Sequence, residues 1–283
     1  MFELVKIDEI HKTCYLNLKL YKLVDDDFLK GIISTILYSI FANNNIYKVN
    51  IITDIIINAE VFIEYGFEIE GILKENEFIN NKYIDQVIYG ITKKKHNVSL
   101  RKVGINIKGR DIIIRNIKTS DSEELAKYYI RNKKHLEKFE PDREESFYTN
   151  ENQKKKATIE YLNYIKEKTI ETGIFIDGKL IGIMKVYNII NGSINSGMIG
   201  YSIDEKYQGK GYMKEALKLF LDYLFKTEGF HRIEASVMRN NNRSINLLKS
   251  CNFVLLGINR KYVCKNDVYF DYETYYLIKE DFC

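Results

Sequence analysis

One junction constrains this chain more than any other. Residues 198–203 (MIGYSI) read as a strand, and Gln208-Gly209-Lys210-Gly211 as a tight turn. An amphipathic helix then begins near Tyr212, with Ala216, Leu217, Phe220, Leu221, Leu224 and Phe225 on one face. Glycines at such a junction let the backbone turn sharply and approach a ligand closely. The unpaired N–H groups of the helix's first turn, with the dipole behind them, suit a phosphate or pyrophosphate. Beyond the helix, residues 231–237 (HRIEASV) alternate as a strand. Asn241-Asn242-Arg243-Ser244 then opens a second helix carrying Ile245, Leu247, Leu248 and Cys251, and Phe253 opens a further strand.

The preceding hundred residues supply the rest of a layered fold. Asp111–Ile117 reads as a strand, and Thr119-Ser120-Asp121 with Glu123 and Glu124 as a helix start. That helix runs to about Lys134 with Leu125, Ala126, Tyr129 and Ile130 inward. Pro141, the only proline, breaks the chain before a helix over roughly Glu151–Lys168. Asp177-Gly178 is a favoured hairpin turn between residues 173–176 and 179–188. The order β–α–α–β–β–β–α–β–α–β–β predicts a mixed α/β fold.

Composition narrows the class. A chain of 283 residues, 45% hydrophobic, has room for one large domain or two small ones. A net charge of +4 gives no reason to expect nucleic acid. No apolar run reaches membrane-spanning length and the N-terminus lacks a secretory pattern, so the expectation is a cytoplasmic protein without a membrane partner. Cys14, Cys251, Cys264 and Cys283 lack metal-ligand spacing and are expected as reduced thiols, with no metal site. The basic run Lys93–Lys95, with Arg101 and Lys102, reads as a solvated linker.

The chain also repeats itself. Residues 58–91 align without gaps on 244–277: Phe67 matches Phe253, Gly71 Gly257, Asn80 Asn266, Asp85 Asp271 and Tyr89 Tyr275. Upstream, with a two-residue offset, Phe41 matches Phe225 and Lys48-Val49 matches Arg232-Ile233. Where the second copy has Gln208-Gly209-Lys210-Gly211, the first has Val24-Asp25-Asp26-Asp27, and Asn58 replaces Ser244. Three carboxylates repel a pyrophosphate, and the same aspartates suit the cap of a helix beginning near Phe28.

The Gln-x-x-Gly turn, the Asn241 helix start and residues 132–149 (NKKHLEKFEPDREESFYT), in this order, resemble the GNAT superfamily of N-acetyltransferases over roughly residues 108–280. The nearest branch acetylates ribosomal-protein alanine N-termini. Residues 64–73 (EYGFEIEGIL) and 80–85 resemble the C-terminal half of the same superfamily. The resemblance implies a tandem GNAT fold. Residues 1–95 would be a truncated GNAT-like domain without cofactor that scaffolds, dimerises or shapes the substrate cleft; 96–107 would be a basic linker; 108–283 would be the complete catalytic domain.

It further implies an acetyl-CoA-dependent N-acetyltransferase working by direct attack of a primary amine in a ternary complex. The acceptor would be a protein N-terminus or a small, polyamine-like amine, and a homodimer is possible. The alternative is a non-catalytic sensor or scaffold that holds acetyl-CoA or CoA. By resemblance the cofactor is held by Gln208, Gly209, Lys210, Gly211, Tyr212 and Met213, by the backbone at Ile199 and Tyr201, and by Asn241 and Ser244. Ser244 is the candidate acid toward the leaving thiolate. A general base has no place in the family's usual positions, which hold Val263, Ser236 and Leu248 here, so Glu144 and Glu145 stand as candidates, followed by Glu140, Glu234 and Asp271. Tyr148, Tyr201 and Tyr262 are candidate acceptor-cleft residues.

Overall fold

The computed structural model describes residues 2–19, 25–43, 45–54, 59–63, 65–79, 81–96, 104–140, 143–165, 167–265 and 267–282. Val24, Asn58, Glu64, Asn80, Pro141, Asp142, Asn266, Cys283 and linker residues 97–103, all given roles above, lie outside them, as does the Asp27 side chain. The chain divides into two compact units, one of residues 1–103 with Lys118–Ser120 and one of residues 104–117 and 121–283. Among the described residues no helix is long and apolar enough to cross a membrane. None of them form a group of three or more His, Cys, Asp and Glu side chains placed to hold a metal. Cys14 and Cys251 are buried free thiols and Cys264 is an exposed one.

The first unit contains β1 (Phe2–Asp8), β2 (Thr13–Leu18), α1 (Asp26–Asn43), β3 (Lys48–Asp54), α2 (Ala59–Ile63), β4 (Glu68–Ile79), β5 (Lys82–Thr92) and a one-turn helix α3 (Lys93–His96) where the basic run reads as linker. Its sheet has the order β1-β2-β3-β5-β4. Only β2 and β3 run parallel, because only they are joined by a helix long enough to cross over. Asp25 caps α1, its Oδ1 accepting from the Phe28 N–H at 2.7 Å.

The second unit contains β6 (Asn106–Lys108), β7 (Ile113–Arg115), α4 (Ser122–Leu136), α5 (Asn150–Ile165), β8 (Ile170–Ile176), β9 (Lys179–Ile190), β10 (Ser196–Ile203), α6 (Tyr212–Lys226), β11 (Arg232–Met238), α7 (Asn242–Lys249), β12 (Val254–Lys265) and β13 (Val268–Ile278). The eight strands lie in the order β12-β13-β11-β10-β9-β8-β7-β6. β6 begins within the stretch read as linker and ends at Lys108, the first residue of the expected catalytic domain: three residues are too few to show alternation, and the strand exists through its pairing with β7. The expected strand 111–117 shrinks to β7. The face predicted for α6 is buried throughout against the sheet. On α4, Ile130 is exposed rather than inward, since it lies about 140° round the helix from Leu125 and about 160° from Tyr128, which takes the interior place.

The five strands β9–β13 repeat β1–β5 in order and direction. The correspondence extends to irregularities. The β4–β5 ladder slips between Ile69 and Gly71 and between Leu73 and Glu77, and the β12–β13 ladder between Leu255 and Gly257 and between Asn259 and Val263. These are equivalent positions in the gapless alignment.

Candidate functional site

Within the second unit the parallel pair β10–β11 holds together for only three residue pairs, Ser196↔Arg232 to Met198↔Glu234. Both strands continue, β10 to Ile203 and β11 to Met238, but they diverge. β10 stays hydrogen-bonded to β9 and β11 to β13, so backbone groups from Ile199 and Ala235 onward that point into the wedge have no strand to meet. The wedge opens into a cleft of about 1170 Å³.

At the mouth of the cleft, β10 ends in the 3-10 turn Glu205–Tyr207 and the glycine loop. Gly209 and Gly211 sit at φ 73° and 85°, where a side chain is strained, and a Cβ at either would meet nothing within 4 Å. Gly211 is the N-cap of α6 and supplies no side-chain cap, so the first-turn N–H groups face open space. Met213 turns into the core, leaving its backbone N–H on that turn. Lys210 lies beside the loop, its Nζ 5.2 Å from the Tyr207 ring centre. On the opposite wall α7 begins, its N-cap Asn241 accepting from the Ser244 N–H at 3.2 Å. Ser244 Oγ meets the Tyr201 hydroxyl at 2.7 Å. Burial pushes the Tyr201 phenol up, with the Ser244 hydrogen bond opposing in part.

One face of α4 sets this geometry. Tyr128, Arg131, Asn132 and His135, at helical spacing i, i+3, i+4 and i+7, hold successive points of β10 and its loop. Tyr128 donates to Ser202 Oγ at 2.8 Å, Arg131 Nε to Asp204 at 2.5 Å, and the Glu205 N–H donates to Asn132 Oδ1 at 3.0 Å. His135 Nε2 lies 2.6 Å from Gln208 Nε2. None of these four is among the residues expected from the sequence; the polar stripe along α4 is the signal that marks them.

The far end of the cleft is lined by charged and aromatic side chains, among them Tyr129, Glu140, Arg143, Lys156, Glu171 and Lys185. The carboxylates are engaged: Glu140 by Arg143 at 2.6 Å, Glu171 by Lys156 at 2.7 Å. Burial works against the Lys156 ammonium, but Glu171, Tyr129 and Glu160 outweigh it and raise its pKa. Ser236 lies on this wall with its hydroxyl oxygen buried and without a hydrogen-bond partner among the described residues.

Of the expected residues, Ile199, Tyr201, Gln208, Gly209, Gly211, Tyr212, Met213, Asn241 and Ser244 line the one cleft, and Lys210 flanks it. Glu144 and Glu145 do not. The 3-10 turn Glu145–Tyr148 packs the half-buried Phe147 and Tyr148 against α4 and leaves Glu144, its N-cap, and Glu145 exposed. Glu145 is 85% exposed and paired with Lys133, and Glu144 lines a separate shallow pocket. Glu234 pairs with Arg232, Asp271 accepts from the Lys261 N–H, and Tyr148 and Tyr262 also lie off the cleft, whereas Tyr272 lines it.

The family model described as an acetyltransferase (GNAT) domain matches residues 111–254. Over 177 residues the chain is 35% identical to the probable N-acetyltransferase YjcK of Bacillus subtilis (strain 168), spanning 62% of this chain and 98% of that protein. It is 33% identical to the ribosomal protein uS5-alanine N-acetyltransferase of Escherichia coli (strain K12), spanning 54% of this chain and 79% of that one. The crystal structure of the ribosomal-protein-S5-alanine acetyltransferase from Vibrio fischeri aligns at 30% identity with a TM-score of 0.60, covering 63% of this chain and 99% of that one.

Proposed function

The chain belongs to the GNAT acetyltransferase family, and on that footing we propose that its second unit transfers the acetyl group of acetyl-CoA to a protein N-terminal amine. The observation that carries the reading is the open β10–β11 wedge ending at an uncapped α6 N-terminus. The pyrophosphate fits the N–H groups of the Gly209–Met213 turn, with Lys210 adding charge. The pantetheine arm enters the wedge, where Asn241 and the unpaired backbone groups meet its amides. The thioester carbonyl then lies against the Ile199–Tyr201 backbone, whose N–H groups polarise it.

The acceptor amine attacks that carbonyl directly. The departing sulfur is met by the Ser244 hydroxyl, which Tyr201 backs through their hydrogen bond. The carboxylates at the far end are committed to cations, so the ammonium sheds its proton to water in the open cleft. An acidic lining suited to a polyamine is missing too, since Lys156, Lys185 and Arg143 line the same wall. A peptide N-terminus is therefore favoured, as in the uS5-alanine enzyme.

The first unit is the C-terminal half of the same fold, and it takes no cofactor. Its β2–β3 pair stays zipped for six residue pairs, Thr13↔Lys48 to Leu18↔Thr53. The buried Thr53 hydroxyl donates to the Leu18 carbonyl at 3.1 Å where a wedge would open. Its α1 N-terminus is already capped by Asp25.

Calorimetric titration of the full chain with acetyl-CoA tests this, followed by turnover on amines. One site per chain and acetylation of a peptide N-terminus are expected. The pH profile should level off near ~8, where an α-amino group loses its proton, rather than near ~10 as for an alkyl amine. Binding without turnover on any amine would leave a sensor. Two sites would overturn the reading of the first unit.

A further inference from the structure

His135, Gln208 and Arg243 form a chain of side chains across the cleft mouth. Arg243 Nη1 donates to Gln208 Oε1, and Gln208 Nε2 lies 2.6 Å from His135 Nε2. A guanidinium only donates, so the Gln208 carbonyl must face Arg243 and its NH₂ must face His135. His135 Nε2 is then the acceptor, and the ring is neutral with its proton on Nδ1. Arg243 is the second residue of α7, is exposed, and has no carboxylate partner among the described residues. It lines the same cleft as Gly209, Gly211 and the first turn of α6.

We infer that Arg243 is a phosphate-binding residue for acetyl-CoA, held in position by Gln208 and, through it, by unprotonated His135. This rests on the reading that the cofactor's phosphates sit at the α6 N-terminus. Arg is the side chain best matched to phosphate, and here it carries no competing anion. The groups facing His135 are Asp204 and Glu205 of the loop, Lys138 beyond α4, Arg243 of α7, and the Phe139 ring 6.2 Å away. Burial, Lys138 and Arg243 oppose a charged ring while Glu205 and Asp204 favour it; the outcome is a pKa below the ordinary 6.5. When His135 takes a proton, Nε2 becomes a donor, Gln208 meets N–H groups on both sides, and Arg243 is released. Acetyl-CoA affinity therefore falls as pH drops through the His135 pKa.

Calorimetry of acetyl-CoA on the full chain from pH 5 to 7.5 tests this. Arg243→Ala should weaken binding about tenfold to a hundredfold at pH 7.5 with an unchanged melting temperature, and Arg243→Lys should recover part of the loss. His135→Leu should weaken binding at every pH. His135→Gln, which keeps an acceptor but cannot titrate, should restore most of that loss and remove the extra weakening at low pH. Because the 3′-phosphate itself titrates near pH ~6, the decisive comparison is wild type against His135→Gln with the same ligand. If the Arg243→Ala penalty vanishes with dephospho-CoA, Arg243 grips the 3′-phosphate; if it persists, the pyrophosphate. Wild-type binding unaffected by Arg243→Ala, or identical pH profiles for wild type and His135→Gln, would overturn the inference and leave the cofactor reading standing. No binding by the wild type would overturn both.

Discussion

Asp204→Asn isolates the grip of α4 on the glycine loop. The Asp204 side chain is 2% exposed, and its carboxylate accepts from Arg131 Nε at 2.5 Å and from the Lys206 N–H at 3.0 Å. Asparagine keeps the shape but turns an N–H toward one of these donors, leaving a buried donor unpaired and a guanidinium without its anion. Removing one member of a buried pair costs about 3–5 kcal/mol. Arg131 is 24% exposed and keeps its bond to the Leu180 carbonyl, so water and that oxygen absorb part of the loss and about 2–3 kcal/mol is expected. In a unit of roughly 180 residues this lowers the melting temperature by about 4–12 °C in scanning calorimetry.

The pH dependence carries a sign. Burial alone would raise the Asp204 carboxyl, but the Arg131 and Lys206 hydrogen bonds outweigh it and hold the group below its ordinary 3.8. A depressed folded-state pKa gives stability that is fully present above the unfolded value and is lost as pH falls through the folded one. The gap between wild type and variant should thus be constant above pH ~5 and shrink below pH ~4. Adding Arg131→Met should recover part of the loss, because the orphaned charge is then gone. A shift under about 1 °C at pH 7, or a gap unchanged in acid, would refute the clamp.

Four further substitutions at three positions probe other parts of the molecule. Gly211→Asp should abolish acetyl-CoA binding by calorimetry, whereas Gly211→Ala should cost about 1–2 kcal/mol of backbone strain at φ 85° and show as a lower melting temperature. Ser244→Ala should lower kcat about tenfold with an unchanged KM for acetyl-CoA. A general acid can contribute 10²–10⁴, but a thiol with pKa ~8.5 leaves readily near neutrality and needs little help; an unchanged kcat would make Ser244 a packing residue. Thr53→Val should cost the first unit about 1 kcal/mol in denaturant unfolding, and the cofactor stoichiometry should stay at one.

The fold was legible wherever local chemistry decides it. The glycine loop, the α6 face and the Asn241 cap all act within a few residues, and the structure has them where the spacing predicts. Local pattern says little where distance along the chain separates partners. Glu144 and Glu145 stand as candidates because their segment resembles the family's acceptor-side loop, yet the packing of Phe147 and Tyr148 decides their direction. Arg131 meets Asp204, and His135 meets Gln208, across 73 residues each, so neither pair leaves a local pattern. β6 was invisible because a three-residue strand is made by its partner.

The two matching half-folds separate what packing imposes from what a ligand requires. The paired slips in β4–β5 and β12–β13 recur at equivalent residues, so they belong to the hairpin itself and to the twist it must adopt. The differences gather at one end: six zipped pairs against three, a Thr53 bond across the seam against Val237, an aspartate cap against two glycines at positive φ. Since the first unit closes the wedge with the same topology, nothing in the strand order forces β10 and β11 apart. An open wedge leaves backbone groups unpaired, and each costs about 1–3 kcal/mol if it stays buried without a partner. Such a wedge is sustainable only where water or a bound molecule satisfies those groups, and the amide-bearing arm of acetyl-CoA offers donors and acceptors along the length of the gap.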